Sequence, residues 1–175
     1  DVTFYDLHVA IDPKDSSVAG RNGITYRVTA APPAPGELQI DLMEPLVVDS
    51  VVQDGHALEV RRDGRAYFVK PNGPQRVGDR RTITVHYHGR PQIARNPPWQ
   101  GGFTWTADSH GRPWVVTTDQ GMGASVWWPN KDTQADEPDS QRVALTVPDP
   151  MIDVSNGRLR GTAHNANGTT TYEWF

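Results

Sequence analysis

The 175-residue sequence contains no cysteine. Neither a disulfide framework nor a thiolate zinc site can be built from it, although this alone does not fix the cellular compartment. A basic excess is missing as well: 17 Lys plus Arg stand against 21 Asp plus Glu, a formal net charge of -4. That balance excludes a generic nucleic-acid binder, whose affinity rests on a positive surface. Apolar runs are short, as in Leu46 to Val48, far below the roughly 20 residues a helix needs to cross a bilayer. Helical periodicity is scarce, and proline interrupts Ala31 to Pro35, Pro91 to Pro98 and Asp136 to Pro150, so little helix is expected. The sequence opens at Asp1 with neither an initiator Met nor a leader-like pattern, and it stops in a strand-like run, Thr169 to Phe175. Both ends read as those of a segment cut from a longer polypeptide.

What is present is apolar alternation. With 36% hydrophobic and 22% charged residues, the chain can bury a core, and its length suits one domain. Tyr5, Leu7, Val9 and Ile11 fall on one strand face, with Asp6, His8 and Ala10 on the other. Ile24, Tyr26 and Val28 repeat the pattern, as do Leu38, Ile40 and Leu42, and then Ile83, Val85 and Tyr87. Asn22-Gly23, Asp54-Gly55, Asp63-Gly64, Asn72-Gly73, Asn156-Gly157 and Asn167-Gly168 suit tight turns. Two hairpins are expected, Val48–Val52 with Ala57–Val60 and Leu159–His164 with Thr170–Phe175. The fold class expected is all-β: a mainly antiparallel sandwich or saddle over residues 1–175, with Pro97 to Gly102 as a long exposed loop.

Few residues announce chemistry. His86 and His88 share a strand face and could ligate zinc, but no spacing supplies a third ligand. Asp132, Gln134, Asp136, Glu137 and Asp139 resemble a hard-cation loop, yet Glu137 stands where its glycine is needed. Gly123-Ala124-Ser125 is a fragment of a nucleophile elbow without the rest, and there is no phosphate-binding glycine loop. No catalytic set and no metal site can be assembled. Of the six tryptophans, Trp105, Trp114 and one of Trp127 and Trp128 are expected in the core, leaving the other of that pair and Trp99 to face a cleft or partner.

Several stretches, taken in order, resemble the amino-terminal β-domain of the aminopeptidase N type of zinc metallopeptidase, the gluzincin family. Phe4 to Asp12 is similar to that domain's first strand, Gly20 to Val28 and Leu38 to Leu42 to the next two, and Thr82 to Gly89 to the strand closing in Tyr-x-Gly. Gln120 then precedes Ala124-Ser125-Val126-Trp127-Trp128-Pro129, similar to a short family strand ending in an aromatic and proline. Asp136-Glu137-Pro138, the strand Arg142 to Pro148 and Val154-Ser155-Asn156-Gly157 follow in the family's order. The chain departs in carrying Ser125 where the family commonly has Arg, and in a longer stretch between Pro129 and Asp136. The family's zinc motif and its Gly-x-Met-Glu-Asn motif, both carried by the next domain, are absent from the chain.

The resemblance implies that the fragment holds no cofactor, that zinc belongs to the full-length enzyme, and that peptides and the chain's own catalytic domain are its partners. It implies that Gln120 projects into the active-site cleft and binds the substrate α-amino group, with Met122 beside it lining the first side-chain pocket. The compartment stays open, with periplasm or secretion preferred to cytoplasm. The alternative is a stand-alone carbohydrate-binding or structural β-sandwich module, with Trp99 and one of Trp127 and Trp128 as stacking platforms.

Overall fold

The structure is a computed structural model describing residues 1–31 and 36–175. The proline stretch expected to break helical periodicity falls largely on 32–35, outside the described residues. In chain order the strands are β1 (Val2–Asp12), β2 (Ser17–Arg27), β3 (Leu38–Asp41), β4 (Val47–Gln53), β5 (His56–Ala57), β6 (Glu59–Asp63) and β7 (Ala66–Lys70). They continue with β8 (Arg80–Gly89), β9 (Gly102–Ala107), β10 (Pro113–Thr118), β11 (Ser140–Pro148), β12 (Leu159–Asn165) and β13 (Thr169–Trp174). A single 3-10 turn, Ala124–Val126, is the helical content among the described residues. The fold is all-β.

Alternation decides the long strands. Tyr5, Leu7 and Val9 are buried between half-exposed Asp6 and His8, and Ile83, Val85 and Tyr87 alternate in the same way on β8. β12, β13, β11, β1, β2, β8, β4 and β5 pair in that order into one sheet. It is mixed because β1 runs parallel to β11, from Phe4 opposite Ser140 to Ala10 opposite Thr146; the other strand pairings are antiparallel. The antiparallel sheet β3-β7-β6 brings Ile40, Leu42, Tyr67 and Val69 into one cluster with Leu7, Ile24, Ile83 and Tyr87 of the large sheet. Each such buried aliphatic or aromatic side chain contributes about 1.5–3 kcal/mol relative to an exposed one, so this layer stabilises the domain.

Three local expectations are corrected. Asn22-Gly23 forms no turn: it lies mid-strand in β2, with Gly23 opposite Asp6. There Asn22 is buried and donates from Nδ2 to the Pro129 carbonyl at 2.8 Å, while a Cβ on Gly23 would lie 3.3 Å from the Asp6 Cβ. The real β1–β2 turn is Pro13 to Ser16. The Asp54-Gly55 hairpin is also shorter than expected, holding only Val52 opposite Ala57 and Gln53 opposite His56 before β6 leaves for the second sheet. Finally, Ala124–Val126 is a 3-10 turn where the resemblance implied a strand. The Leu159 to Phe175 hairpin forms with its Asn167-Gly168 turn, though Phe175 lies just past β13.

Candidate functional site

The hairpin β9–β10 carries the region of interest. Phe103 is fully buried and stacks on Trp105 with centroids 5.0 Å apart, while Trp127 meets its edge at 6.3 Å. This seats one hairpin face on the core. Behind it Gln92 threads the loop: its carbonyl accepts from Phe103 N–H at 2.7 Å and its Nε2 donates to the Gly101 carbonyl at 3.0 Å.

β10 ends at Thr118, opposite Gly102. The chain then reverses: the Asp119 carbonyl accepts from the N–H groups of Met122 and Gly123, each at 3.0 Å. Gly121 sits at the turn's third position with φ 77°, a left-handed conformation that glycine adopts without strain. Gln120 occupies the second position. It is exposed, and its side-chain amide makes no hydrogen bond to any described residue. A primary amide left free in this way offers a carbonyl oxygen to an ammonium donor and two N–H groups to acceptors. Met122, half-buried in the same turn, has its sulfur 3.6 Å from Gln92 Nε2. The structure thus brings the two sequence-derived site residues together at one surface turn. Nothing in the sequence marked Gln92 as a neighbour of that turn, because loop contacts leave no periodic signal.

After the turn, Ser125 is buried and its hydroxyl donates to Asp132 Oδ2 at 2.5 Å, so this serine is no exposed nucleophile. The acidic loop spreads its carboxylates over different partners. Asp136 accepts from Val2 N–H at 3.2 Å and from Lys131 Nζ, and lies 3.8 Å from the amino terminus. Partial burial raises the Asp136 pKa, but Lys131, the Val2 N–H and the terminal ammonium outweigh that and hold it below the ordinary carboxylate value. His88 is spent on Asp49, 2.7 Å from its Nδ1. Among the described residues no three His, Cys, Asp or Glu side chains gather. This donor set does not fit a zinc ion.

The tryptophans divide differently from the expectation in two places, at Trp114 and at the Trp127–Trp128 pair. Trp114 is 58% exposed because alternation on β10 turns Val115 toward the core and Trp114 away from it. Trp105 is half-buried against Phe103, and Trp128 is buried, edge-on to Tyr5 at 5.0 Å. Trp99 is 68% exposed in the loop closed by Asn96 and Gln100. Trp127 packs on the core and Trp128 is buried, so both rings of the pair pack on the core, where one of them was expected to face a cleft or partner.

No protein-family model matches the sequence, and no curated protein matches it. Solved structures do match the fold. An M1 zinc metallopeptidase from Deinococcus radiodurans superimposes with a TM-score of 0.78 at 20% identity, over 99% of this chain and 38% of that one. A mutant of the M1 zinc metallopeptidase from the same organism, bound to a Tyr-Ser-Ala substrate, gives 0.77 at 21% identity with the same coverage. Native yeast LTA4 hydrolase gives 0.73 at 15% identity, over 98% of this chain and 26% of that one. The chain therefore has a fold found in M1 zinc metallopeptidases and spans well under half of their length.

Proposed function

We propose that residues 1–175 form the amino-terminal β-domain of a zinc-dependent aminopeptidase that removes residues from the free amino end of peptides. In this reading the domain is one wall of the active-site cleft and is itself non-catalytic. Zinc, its ligands and the general base belong to a catalytic domain outside this sequence, which is also the domain's principal partner; the bound metal supplies an activated water for hydrolysis. The chain's own work is recognition. The Gln120 carbonyl oxygen accepts from the substrate ammonium without placing a second buried charge beside the catalytic domain's glutamate, and Met122 borders the first substrate side chain. Holding the amine fixes which peptide bond reaches the metal, so specificity for the chain end becomes a matter of position.

The uncommitted, exposed amide of Gln120 on a closed turn carries this reading. The fold likeness to peptidases, one of them holding a tripeptide substrate, supports it. The test is kinetic. In the full-length enzyme, Gln120→Ala is expected to lower kcat/KM for free-amine peptides by roughly 1–3 kcal/mol, the usual worth of one hydrogen bond to a charged group, mainly through KM. An unchanged kcat/KM removes the assignment.

A further inference from the structure

The Gln120 side chain is exposed and makes no hydrogen bond to any described residue, so its place depends on how the turn beneath it is held. One end of the turn is fixed by strand pairing, with Thr118 opposite Gly102. The other end runs through Gly123 into Ser125, whose hydroxyl and N–H are both held by one carboxylate. Asp132 Oδ2 accepts the Ser125 hydroxyl at 2.5 Å and also its backbone N–H at 3.4 Å. The Asp132 carboxylate also packs so closely on Gly123 that a Cβ there would overlap both of its oxygens. Gly123 itself has φ 88°, a conformation that disfavours other residues.

Asp132 is in turn tied to the body of the domain. Its N–H donates to Asp41 Oδ2 at 3.3 Å, and Gln39 Nε2 donates to the other oxygen of Asp41 at 2.9 Å. The neighbouring backbone of Asp41 exchanges two hydrogen bonds with Asn130, at 2.8 and 3.2 Å. The Ser125 carbonyl is taken by Met43 N–H at 2.8 Å, so every polar group of Ser125 has a partner. These bonds link the turn to β3 at the start of the second sheet. They also join the two departures from the family pattern: the longer stretch after Pro129 delivers Asp132 to the serine at the alanine-adjacent position.

We propose that Asp132 is a positioning residue for substrate recognition, acting through Ser125 and Gly123 to hold the Gln120 turn where the substrate amine must meet it; the proposal rests on the amine-binding reading of Gln120. Because no hydrogen bond to a described residue anchors the Gln120 amide, a small shift of the turn displaces its carbonyl oxygen directly. Misplacement by about 1 Å is enough to cost up to about 100-fold in a positioned interaction.

The experiment is a double-mutant cycle in the full-length enzyme with a free-amine peptide substrate. Asp132→Ala is expected to lower kcat/KM about tenfold, through KM with kcat within about twofold, and to cost nothing further in a Gln120→Ala background. Asp132→Asn keeps an oxygen for the serine hydroxyl and is expected to restore most of the loss. Ser125→Ala, a small change less prone to unfold the domain, is expected to move KM in the same direction. In the full-length enzyme, Asp132→Ala is also expected to speed amide exchange at Met122 and Gly123 about tenfold or more while amides in β1 and β8 keep their rates.

The outcomes separate the two claims. If Gln120→Ala alone leaves kcat/KM unchanged, the amine site is wrong and the positioning role falls with it. If Gln120→Ala has its expected effect while Asp132→Ala has none, or adds a full second loss on top of Gln120→Ala, only the positioning role is overturned. Equal loss in Asp132→Asn and Asp132→Ala, with Ser125→Ala silent, also overturns it.

Discussion

On the exposed face of β1, Asp6 receives both arms of Arg142, Nε at 2.6 Å and Nη2 at 3.1 Å, and lies 3.0 Å from His8 Nε2. Burial raises the Asp6 pKa, but the Arg142 hydrogen bonds and the charge of His8 outweigh it, leaving Asp6 below the ordinary carboxylate value. For His8, burial lowers the pKa, and together with the charges of Arg21 and Arg142 it outweighs the opposing pull of Asp6, so the ring stays neutral to lower pH than usual. Both shifts make acid destabilising, in different windows. Where an unfolded histidine begins to take up a proton and the folded one does not, stability falls as pH falls. The carboxylate adds stability above its unfolded pKa and loses it as acid protonates the folded group. His8→Gln is therefore expected to flatten the urea midpoint between about pH 7 and about pH 5, and Arg142→Leu to soften the fall below about pH 4; unchanged profiles in both variants would contradict this account. At this scale the sequence was only partly legible. Family resemblance pointed to Gln120 and Met122, but the exposure of Gln120, the outward face of Trp114 and the Ser125–Asp132 bond depend on packing that adjacent letters do not encode.

Among the elements, the long strands were the most readable. Period-two burial in β1, β2 and β8 follows from one wet face and one dry face, a constraint every second residue must obey. The hairpin β9–β10 was harder to read because its turn is not a two-residue glycine pair. Instead, Asp108 Oδ1 accepts from the N–H groups of His110 and Arg112, at 2.8 and 2.9 Å, and closes a longer loop. Asn22-Gly23 misled for the converse reason: the pair fits a turn, yet the buried contacts of β1 and β8 on either side claim it for a strand. Gly102 is where the β9–β10 hairpin is most sensitive. Its φ is 131°, and an added Cβ would run into the Gln92 carbonyl. Gly102→Ala is expected to cost about 3 kcal/mol or more, from backbone strain plus steric overlap, measured as a lowered urea midpoint with little change in slope. A loss under about 1 kcal/mol would show that the loop yields.

Across the whole molecule, the parallel pairing of β1 with β11 ties the first residues to those near position 140. Local pattern predicted the fold class but not this register, since parallel neighbours need no shared turn and sequence distance carries no record of them. Leu7 stands in the middle of that seam, fully buried with Val143 beside it on β11. With no disulfide to hold the halves together, the seam depends on packing. Leu7→Ala is expected to lower the unfolding free energy by about 2–5 kcal/mol in a single cooperative transition. A second transition would mean that the halves unfold independently.

The solitary tip of the β10 turn has a further consequence. An exposed side chain without a hydrogen bond to the described residues can be exchanged with almost no toll on the architecture below it, whereas the carboxylate and glycine beneath it cannot. The tip is thereby adjustable on a fixed mount: one letter there can change without the chain relearning how to fold.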